Sequence, residues 1–299
     1  MQGNRHLQSL KPYLSIPHKI WERSLDEGVL KLDWNEATIP PSPKVYEALD
    51  AFLKEGRLSW YPNTKPTALL EQLAAYTQQE SIDFITLFAG SDAAHEGIID
   101  SFLEKDHRIG IVSPSYDHFR ARANGVGLKT LHFSLDENFD LDFEALSAFL
   151  SEEAIKLLYL CNPNNPTGKA YCTEKIKKLI QKHPRILFLI DEAYFEFCGL
   201  TLAHLCKDHT NLILTRTFSK AFALASFRIG YVISHPENIR TLNKLRNPKS
   251  IPALSQIAAE AALKDYAYMQ NYVAEVSLAR ADFINFLDDL SLEGGGGGG

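Results

Sequence analysis

Three segments in the middle of the chain decide its fold: CNPNNPTG (161–168), LIDEAYFEF (189–197) and TRTFSKAFALASFRIGY (215–231). Each joins a run of apolar residues to a polar turn, and helical segments separate the runs. Further apolar runs of strand length precede them at 83–90, 107–113 and 128–134. Continuous apolar strands that alternate with helices predict a mainly parallel α/β sheet covered by helices on both faces.

Length and composition are those of an ordinary globular protein. The 299 residues can bury a large core, and 45% of them are hydrophobic and 23% charged. The formal net charge is −6 and no stretch is strongly basic, so nucleic acid is not an expected partner. The N-terminus lacks the apolar core of a secretion signal, and no apolar run reaches membrane-spanning length. We therefore expect a cytoplasmic location and no membrane partner.

The four cysteines have the spacing of neither a disulfide framework nor a metal site. None form a CxxC pair, and no histidine cluster has zinc spacing, so no metal is expected. Free buried thiols in a reducing compartment are the expected state of Cys161, Cys172, Cys198 and Cys206.

Two ionisable residues lie where central strands end. Lys220 follows the strand LILTRTF at its carboxyl end, where open α/β sheets bind ligands. A lysine that forms an imine needs such a rigid position, although most lysines are simply solvated. Asp191 ends the apolar run RILFLI, so we expect it to be at least half buried and to need a cationic or hydrogen-bonding partner, unless it caps a following helix. Tyr194, three residues later, could reach the same partner.

Two turns add groups that could bind an oxyanion or a phosphate. In NPNNPTG the prolines fix a turn, Gly168 permits an unusual backbone angle, and Asn165 can donate a hydrogen bond. In AGSDAAHEG a small-residue loop begins a helix, and backbone N–H groups at helix N-termini bind phosphate. There Gly90 would allow close approach, Ser91 would supply a hydroxyl, and the helix would open at Asp92 and Ala93.

Together these motifs resemble those of the aspartate-aminotransferase-like, fold-type I family of pyridoxal-phosphate (PLP) enzymes. The local sequences are most similar to histidinol-phosphate aminotransferase, and the resemblance covers roughly residues 30–265. It implies a three-layer sheet with a smaller, incomplete α/β subdomain, and PLP as the cofactor. It also implies a ping-pong aminotransferase that moves an amino group between an amino acid such as glutamate and a keto or phosphorylated, histidinol-phosphate-like substrate.

The resemblance implies a role for each residue around the cofactor ring. Lys220 forms the imine (Schiff base) and moves a proton during the reaction. Asp191 keeps a proton on the ring nitrogen, and Asn165 and Tyr194 bond the ring hydroxyl. Tyr116 stacks on the ring, unless it is an exposed loop residue.

The resemblance also implies how the phosphate and the substrate are bound. Thr217, Ser219 and Arg228 join the loop at 90–93 around the phosphate, although Arg228 could instead form a structural ion pair. Asn35 approaches the substrate. Tyr61 reaches the phosphate of the neighbouring subunit, which implies a homodimer with a shared active site.

Three departures from the family pattern bear on the substrate pocket. Ala223 and Ser226 stand where the glycine-rich segment FGLAGLR of the family has glycines. The family's Asn-Glu-Asn-Pro reads Asn-Glu-Ala-Thr at 35–38. The chain also ends where similar proteins continue into a strand subdomain that carries a carboxylate-binding arginine, and we do not expect Arg280 to substitute for it.

We expect four regions along the chain. Residues 1–40 form an N-terminal arm that contributes to the small domain, and 41–235 form the large PLP-binding domain. Residues 236–293 form linker helices and the start of the small C-terminal domain. The glycine run at 294–299 has the character of a placeholder rather than of natural sequence.

Other functions share part of the pattern. A threonine-phosphate-type PLP decarboxylase would carry the same cofactor motifs and differ only in how it binds the substrate carboxylate. A PLP-binding module without turnover is less favoured, because residues 1–40 show no helix-turn-helix pattern. An NAD enzyme is disfavoured because no GxGxxG follows an early strand. The amino acceptor stays open between histidinol phosphate, an aromatic acid and a cell-surface sugar precursor.

Overall fold

The computed structural model describes residues 4–8, 10, 21 and 31–294. Most of the expected N-terminal arm at 1–40, and residues 295–299 of the glycine run, therefore lie outside the described residues. A central sheet and the helices on its two faces make up the described part of the chain.

The sheet has the architecture that the apolar runs predict. Its strand order is β1-β7-β6-β5-β4-β2-β3, and β7 alone runs antiparallel to its neighbours. The mainly parallel α/β fold is therefore confirmed. The seven strands that the structure describes are β1 (Ile85–Phe88), β2 (Arg108–Ser113), β3 (Lys129–Ser134), β4 (Leu157–Cys161), β5 (Leu187–Asp191), β6 (Leu212–Thr217) and β7 (Gly230–Ser234).

Helices cover both faces of the sheet, and several begin where the sequence supplies a cap. Ser42 accepts a hydrogen bond from the Lys44 backbone N–H at the start of α1, and Asp142 accepts from two backbone N–H groups of α5. The helices in the described part are α1 (Pro43–Lys54), α2 (Thr67–Tyr76), α3 (Ser91–Phe102), α4 (His118–Gly125), α5 (Phe143–Glu152), α6 (Thr173–Lys182), α7 (Pro236–Leu245), α8 (Ala253–Lys264) and α9 (Tyr266–Gly294). Of these described helices, none is both long and apolar enough to span a bilayer.

The pleat of the central strands divides the core into two layers. In β5, Leu189 packs into the layer under α3, α4 and α7, whereas Phe188 and Ile190 pack into the opposite layer. In β6, Ile213 and Leu214 divide in the same way. Because side chains alternate along a strand, the residues that follow these runs must also fall on opposite faces.

A buried ion pair on one of those faces joins the residue that follows β5 to the penultimate residue of β6. Arg216 is 1% exposed, and its Nε donates to Glu192 Oε2 at 2.9 Å. Its Nη2 donates to Thr201 Oγ1 at 2.6 Å, and the guanidinium lies 3.7 Å from the centre of the Phe195 ring. Removal of either charge would leave the other buried without a partner, at a cost of about 3–5 kcal/mol. The pair therefore fixes the ends of β5 and β6 relative to each other.

The expectation of four buried thiols is only half correct. All four cysteines are free, and Cys161 and Cys206 are buried, but Cys172 and Cys198 are exposed. Cys172 is the residue before α6, and Cys198 follows the short 3₁₀ turn Phe195–Phe197. Both cysteines lie in connecting segments. Such segments run over the protein surface, so the apolar character of a thiol does not bring it into the core there.

Ala223, which stands in place of a family glycine, has a left-handed backbone with φ 58°. Its N–H donates to Lys220 O at 3.1 Å, and the next residue, Leu224, donates to Phe218 O at 3.0 Å, so the turn is fixed by hydrogen bonds on both sides. A residue with a Cβ is strained in this conformation. Ser226 lies in the following exposed 3₁₀ turn, which does not demand glycine.

Replacing Ala223 with glycine is therefore expected to stabilise the protein. We expect Ala223→Gly to raise the free energy of unfolding by about 0.5–1 kcal/mol, the relief of left-handed strain less the added chain entropy of glycine. Urea unfolding measures this change. Ala225→Gly is the matched control in the same loop, and it should lower stability because Ala225 lies in the 3₁₀ turn. Destabilisation by both variants would contradict the strain argument.

Candidate active site

The polar residues that the sequence singles out gather at one edge of the sheet. Strands β4, β5 and β6 are parallel and end there at Cys161, Asp191 and Thr217. β1 runs in the same direction beyond β7 and leads into the loop before α3. Ligands of open α/β sheets bind at this edge, beyond the carboxyl ends of the strands.

Asp191 is almost fully enclosed, which confirms the prediction that it is at least half buried. It is 3% exposed, and its Oδ2 accepts from the Tyr159 hydroxyl at 3.0 Å. Its Oδ1 accepts from the Ala193 backbone N–H at 3.1 Å and from the Thr215 hydroxyl at 3.3 Å. Burial raises the pKa of Tyr159, which keeps this phenol a donor. No lysine or arginine of the described chain forms an ion pair with this carboxylate.

Tyr194, Asn165 and Asn35 meet at one oxygen atom. The Tyr194 hydroxyl accepts from Asn165 Nδ2 at 3.3 Å and from Asn35 Nδ2 at 3.1 Å. Burial raises the pKa of Tyr194, so the hydroxyl keeps its own proton and can donate it to an oxyanion. Three residues that are far apart in the sequence thus form one group of donors, as the sequence suggested for two of them.

Lys220 lies beside this group, and its amine points to the N-terminal segment, residues 31–40. Its Nζ donates to the Trp34 carbonyl oxygen at 2.7 Å and lies 5.6 Å from the centre of the Tyr194 ring. Burial lowers the pKa of Lys220, and Arg228 acts in the same direction, whereas Glu36 and Asp92 oppose it. A lowered pKa leaves more of the amine neutral and nucleophilic near pH 7.

An anion-binding cradle lies at the other end of the site. α3 begins at Ser91, after Gly90 with φ 93°. A Cβ at Gly90 would lie 2.7 Å from Arg228 Nη2, so glycine lets the guanidinium approach the loop. Arg228 Nη1 also donates to Ser219 Oγ at 3.4 Å, and the Ser219 backbone N–H donates to Thr217 Oγ1 at 3.1 Å. A helix N-terminus, a guanidinium and two hydroxyls are the groups that bind phosphate.

Gly230, the first residue of β7, supports this cradle by lacking a side chain. A Cβ there would lie 2.7 Å from Arg216 O and 3.0 Å from both Gly90 C and Ser91 N. Three segments that are distant in the sequence therefore pack together with no room for a methyl group. The position of the cradle relative to β6 and β7 follows from this contact.

Asp92 and Tyr116 close the cradle on the side of α4. The Tyr116 hydroxyl donates to Asp92 Oδ1 at 3.1 Å, and Arg228 Nη2 lies 3.7 Å from Asp92 Oδ2. The Tyr116 ring also stacks on His118, with 6.3 Å between the ring centres. Asp92 thus holds an aromatic ring and a cation at the first turn of α3, and Ala93 follows it in the same turn.

Tyr61 lies apart from this cluster. It is 80% exposed, and its ring is contacted by Lys249, whose Nζ is 4.6 Å from the ring centre. The adjacent Trp60 is 68% exposed. Two neighbouring exposed aromatic rings form an apolar surface of the kind that a partner often covers.

The sequence did not single out four residues that contact the site: Trp34, His95, Tyr159 and Thr215. Thr215 could have been found from the pleat, because it lies two residues before Thr217 on the same strand. Tyr159 bears the same relation to Cys161 on β4. For His95 the sequence offers no signal, since its approach to Asp191 depends on how α3 packs on the sheet.

The donor set fits pyridoxal phosphate. Lys220 offers an amine to the aldehyde, and the buried Asp191 carboxylate lacks a lysine or arginine partner within the described residues. Asn165 and Tyr194 offer donors to the ring oxygen, and the Arg228 cradle suits the phosphate. Fold and site together define a PLP enzyme of fold type I.

Comparison with known proteins gives the family. Residues 25–294 match the model of the aminotransferase class I and II family. Dihydroxyacetone phosphate transaminase Cj1437c of Campylobacter jejuni is 62% identical over 296 residues, which is 99% of this chain and 80% of that protein. Histidinol-phosphate aminotransferase of Syntrophotalea carbinolica is 35% identical over 255 residues, 85% of this chain and 71% of that one.

A solved structure agrees with this result. The crystal structure of histidinol-phosphate aminotransferase from Sinorhizobium meliloti in complex with pyridoxal-5'-phosphate superposes with a TM-score of 0.78 at 28% identity, covering 83% of this chain and 67% of that one. The chain belongs to the class I and II aminotransferases. It is a transaminase, and pyridoxal phosphate is its cofactor.

The burial of Lys220 leads to a measurable titration. In the cofactor-free protein, we expect the Lys220 amine to titrate below the ordinary lysine value of 10.5, because burial disfavours the charged form. Competitive acetylation across a pH series, read by mass spectrometry, reports this pKa. Arg228→Ala should raise the pKa of Lys220, because Arg228 contributes to lowering it. Arg240 is an exposed arginine of α7, and Arg240→Ala should leave the pKa of Lys220 unchanged. A pKa at or above 10.5 in the unaltered protein would contradict the site geometry.

Proposed function

We propose that this protein transfers an amino group from an amino acid such as glutamate to a small phosphorylated ketone of the dihydroxyacetone phosphate type. The observation that carries this proposal is the 62% identity to the Campylobacter jejuni transaminase along nearly the whole chain. Histidinol-phosphate aminotransferases are also relatives, at lower identity, and their substrate is phosphorylated as well. A phosphorylated acceptor is therefore the common element, and the ketone of histidinol phosphate is the second candidate.

The bound cofactor supplies an electron sink and carries the amino group between the two substrates. Within this cycle, the Lys220 amine would move a proton between the substrate Cα and the cofactor carbon, for which its lowered pKa suits it. Asp191 would accept a hydrogen bond from the ring nitrogen of the cofactor and balance its charge. Asn165 and Tyr194 donate to the ring oxygen from one side, where their polar atoms lie 3.3 Å apart.

The cradle residues bind and orient rather than react. Arg228, Ser219 and Thr217 hold the cofactor phosphate together with the N-terminus of α3 (Gly90, Ser91, Asp92 and Ala93). Tyr116 contributes its ring face to the cofactor while its hydroxyl stays bonded to Asp92. Asn35 approaches the substrate from the N-terminal segment, where it already contacts Tyr194.

We propose a homodimer in which Tyr61 completes the site of the partner subunit. Its separation from the other site residues and its 80% exposure support this role, because a residue that served its own subunit would be expected near the cradle. Trp60 and Tyr61 would then be covered at the dimer interface. We also propose a cytoplasmic location, because four free thiols suit a reducing compartment.

The proposed domain division follows the contacts of the N-terminal segment. The Thr38 backbone N–H donates to the Tyr272 hydroxyl at 3.3 Å, and the Tyr268 hydroxyl donates to Pro40 O at 3.0 Å. These bonds support an arm at 1–40 that belongs with the helices of 236–293. Residues 41–235 would then form the large PLP-binding domain, and the glycine run at 294–299 would lie outside both.

The first experiment follows the absorbance of the bound cofactor in the two half-reactions. Glutamate should bleach the visible band, and dihydroxyacetone phosphate should restore it far faster than unphosphorylated dihydroxyacetone. Lys220→Ala should do neither, whereas Lys207→Ala, an exposed lysine paired with Glu80 at 3.7 Å, should behave as the unaltered protein. If only the ketone of histidinol phosphate restored the visible band, that ketone would replace dihydroxyacetone phosphate as the proposed substrate. Release of carbon dioxide without restoration would replace it with a decarboxylase.

The shared site is tested by mixing inactive variants. When Lys220→Ala and Tyr61→Ala subunits are dissociated and reassociated together, one site of each hybrid dimer should contain both intact residues. Activity above the sum of the two parents is therefore expected. Lys220→Ala mixed with Asp191→Asn is the control, since both residues serve their own subunit and no site is restored. Failure of the Tyr61 mixture to recover would place that tyrosine outside the neighbouring site.

A further inference from the structure

His95 is an imidazole sealed inside the protein directly behind the active site. It lies on α3 and is 0% exposed. The rings of Phe119 and Tyr159 meet it edge-on, with ring centres 5.8 Å and 5.5 Å away and interplanar angles of 89° and 81°. On packing grounds alone, this position between two aromatic rings suits an apolar side chain.

The polar contacts of His95 lead to Asp191. Its Nε2 is 3.1 Å from Thr215 Oγ1, and that hydroxyl donates to Asp191 Oδ1 at 3.3 Å. The same Nε2 lies 3.5 Å from Asp191 Oδ2. A threonine hydroxyl has one proton, and here it is given to the carboxylate. Thr215 must therefore accept from His95, which places the imidazole proton on Nε2.

The second ring nitrogen supports this assignment. His95 Nδ1 is buried and has no hydrogen-bond partner within the described residues. If Nδ1 carried the proton, a buried N–H would be left without an acceptor. If Nδ1 is unprotonated, only its lone pair is left without a donor. Burial also lowers the pKa of His95, so the ring is neutral near pH 7. The titratable groups around it are Asp191 on β5, Asp92 and Glu96 on α3, and His118 on α4.

We propose that His95 is a positioning residue, which uses its Nε2–H to orient Thr215 and Asp191 so that the Asp191 carboxylate meets the ring nitrogen of pyridoxal phosphate. Two nitrogens of His95 enter an apolar site, and one of them stays unsatisfied. The other nitrogen, Nε2, bonds Thr215 Oγ1 and keeps the Thr215 hydroxyl from rotating away from the Asp191 carboxylate. His95 does not touch the cofactor, and it acts through Thr215 and Asp191.

The inference is tested by cofactor binding, so it does not depend on which ketone is the substrate. His95→Leu keeps the bulk of the ring and removes the N–H. We expect it to raise the dissociation constant of pyridoxal phosphate about tenfold, the order for one lost hydrogen bond to a charged network. His95→Gln can place an amide N–H near the position of Nε2, and it should bind within a few-fold of the unaltered protein. Titration of the cofactor-free proteins, followed by fluorescence quenching, gives both constants.

Stability of the cofactor-free variants separates positioning from packing. His95→Leu should melt at the same temperature as the unaltered protein or higher, because the unsatisfied Nδ1 is gone. His183→Leu is the control, since that histidine is also buried but bonds Ser147 Oγ at 2.9 Å, away from the site, and it should leave cofactor binding unchanged. Equal binding by His95→Leu and the unaltered protein would overturn the proposal. So would equal losses in the leucine and glutamine variants.

A measurement on the unaltered protein covers the case in which the leucine variant does not fold. Nitrogen-15 NMR of protein labelled in its histidine rings distinguishes the two neutral tautomers and the charged ring. The His95 signals, assigned by their loss in His95→Gln, should show a neutral ring with its proton on Nε2. A proton on Nδ1, or a charged ring at pH 7, would overturn the inference.

Discussion

The active site depends on which polar side chains at the ends of β5 and β6 point to each face of the sheet. Asp191 and Thr215 face one layer, and Glu192 and Arg216 face the other. The Glu192–Arg216 pair is nearly inaccessible to solvent and cannot separate without leaving an isolated charge in the core. The backbone that carries the Asp191 carboxylate is therefore held in place by an ion pair on the opposite face of the sheet. Tyr159 and Thr215, which donate hydrogen bonds to the Asp191 carboxylate, then need only fix the orientation of that carboxylate.

The anion-binding cradle around Gly90 and Arg228 contains an acid as well as a cation. Asp92 holds Arg228 and the Tyr116 hydroxyl, and the N-terminus of α3 favours its negative charge. A bound phosphate must share these positive groups with the carboxylate. The arrangement keeps the guanidinium in place before the ligand arrives, which limits the ordering cost of binding, at the expense of some attraction.

Much of the architecture could be predicted from the sequence because its signals are local. Buried parallel strands need continuous apolar runs, and residues that follow such runs, such as Asp191 and Lys220, must lie at the ligand-binding edge. Contacts set by tertiary packing could not be predicted. His95 meets Asp191 only because α3 crosses behind β6, and Asn35 meets Tyr194 only because the N-terminal segment returns to the sheet edge. The exposure of Cys172 and Cys198 likewise depends on where their connecting segments run, which composition does not reveal.

The close packing around Gly230 has a consequence for attempts to change what the enzyme accepts. Residues 90, 216 and 230 meet so tightly that a single added carbon would overlap main-chain atoms of two other segments. Main-chain atoms cannot turn aside as a side chain can, so the cost of such a change would spread through β6, β7 and the start of α3 together. Directed evolution of substrate choice should therefore leave this junction invariant.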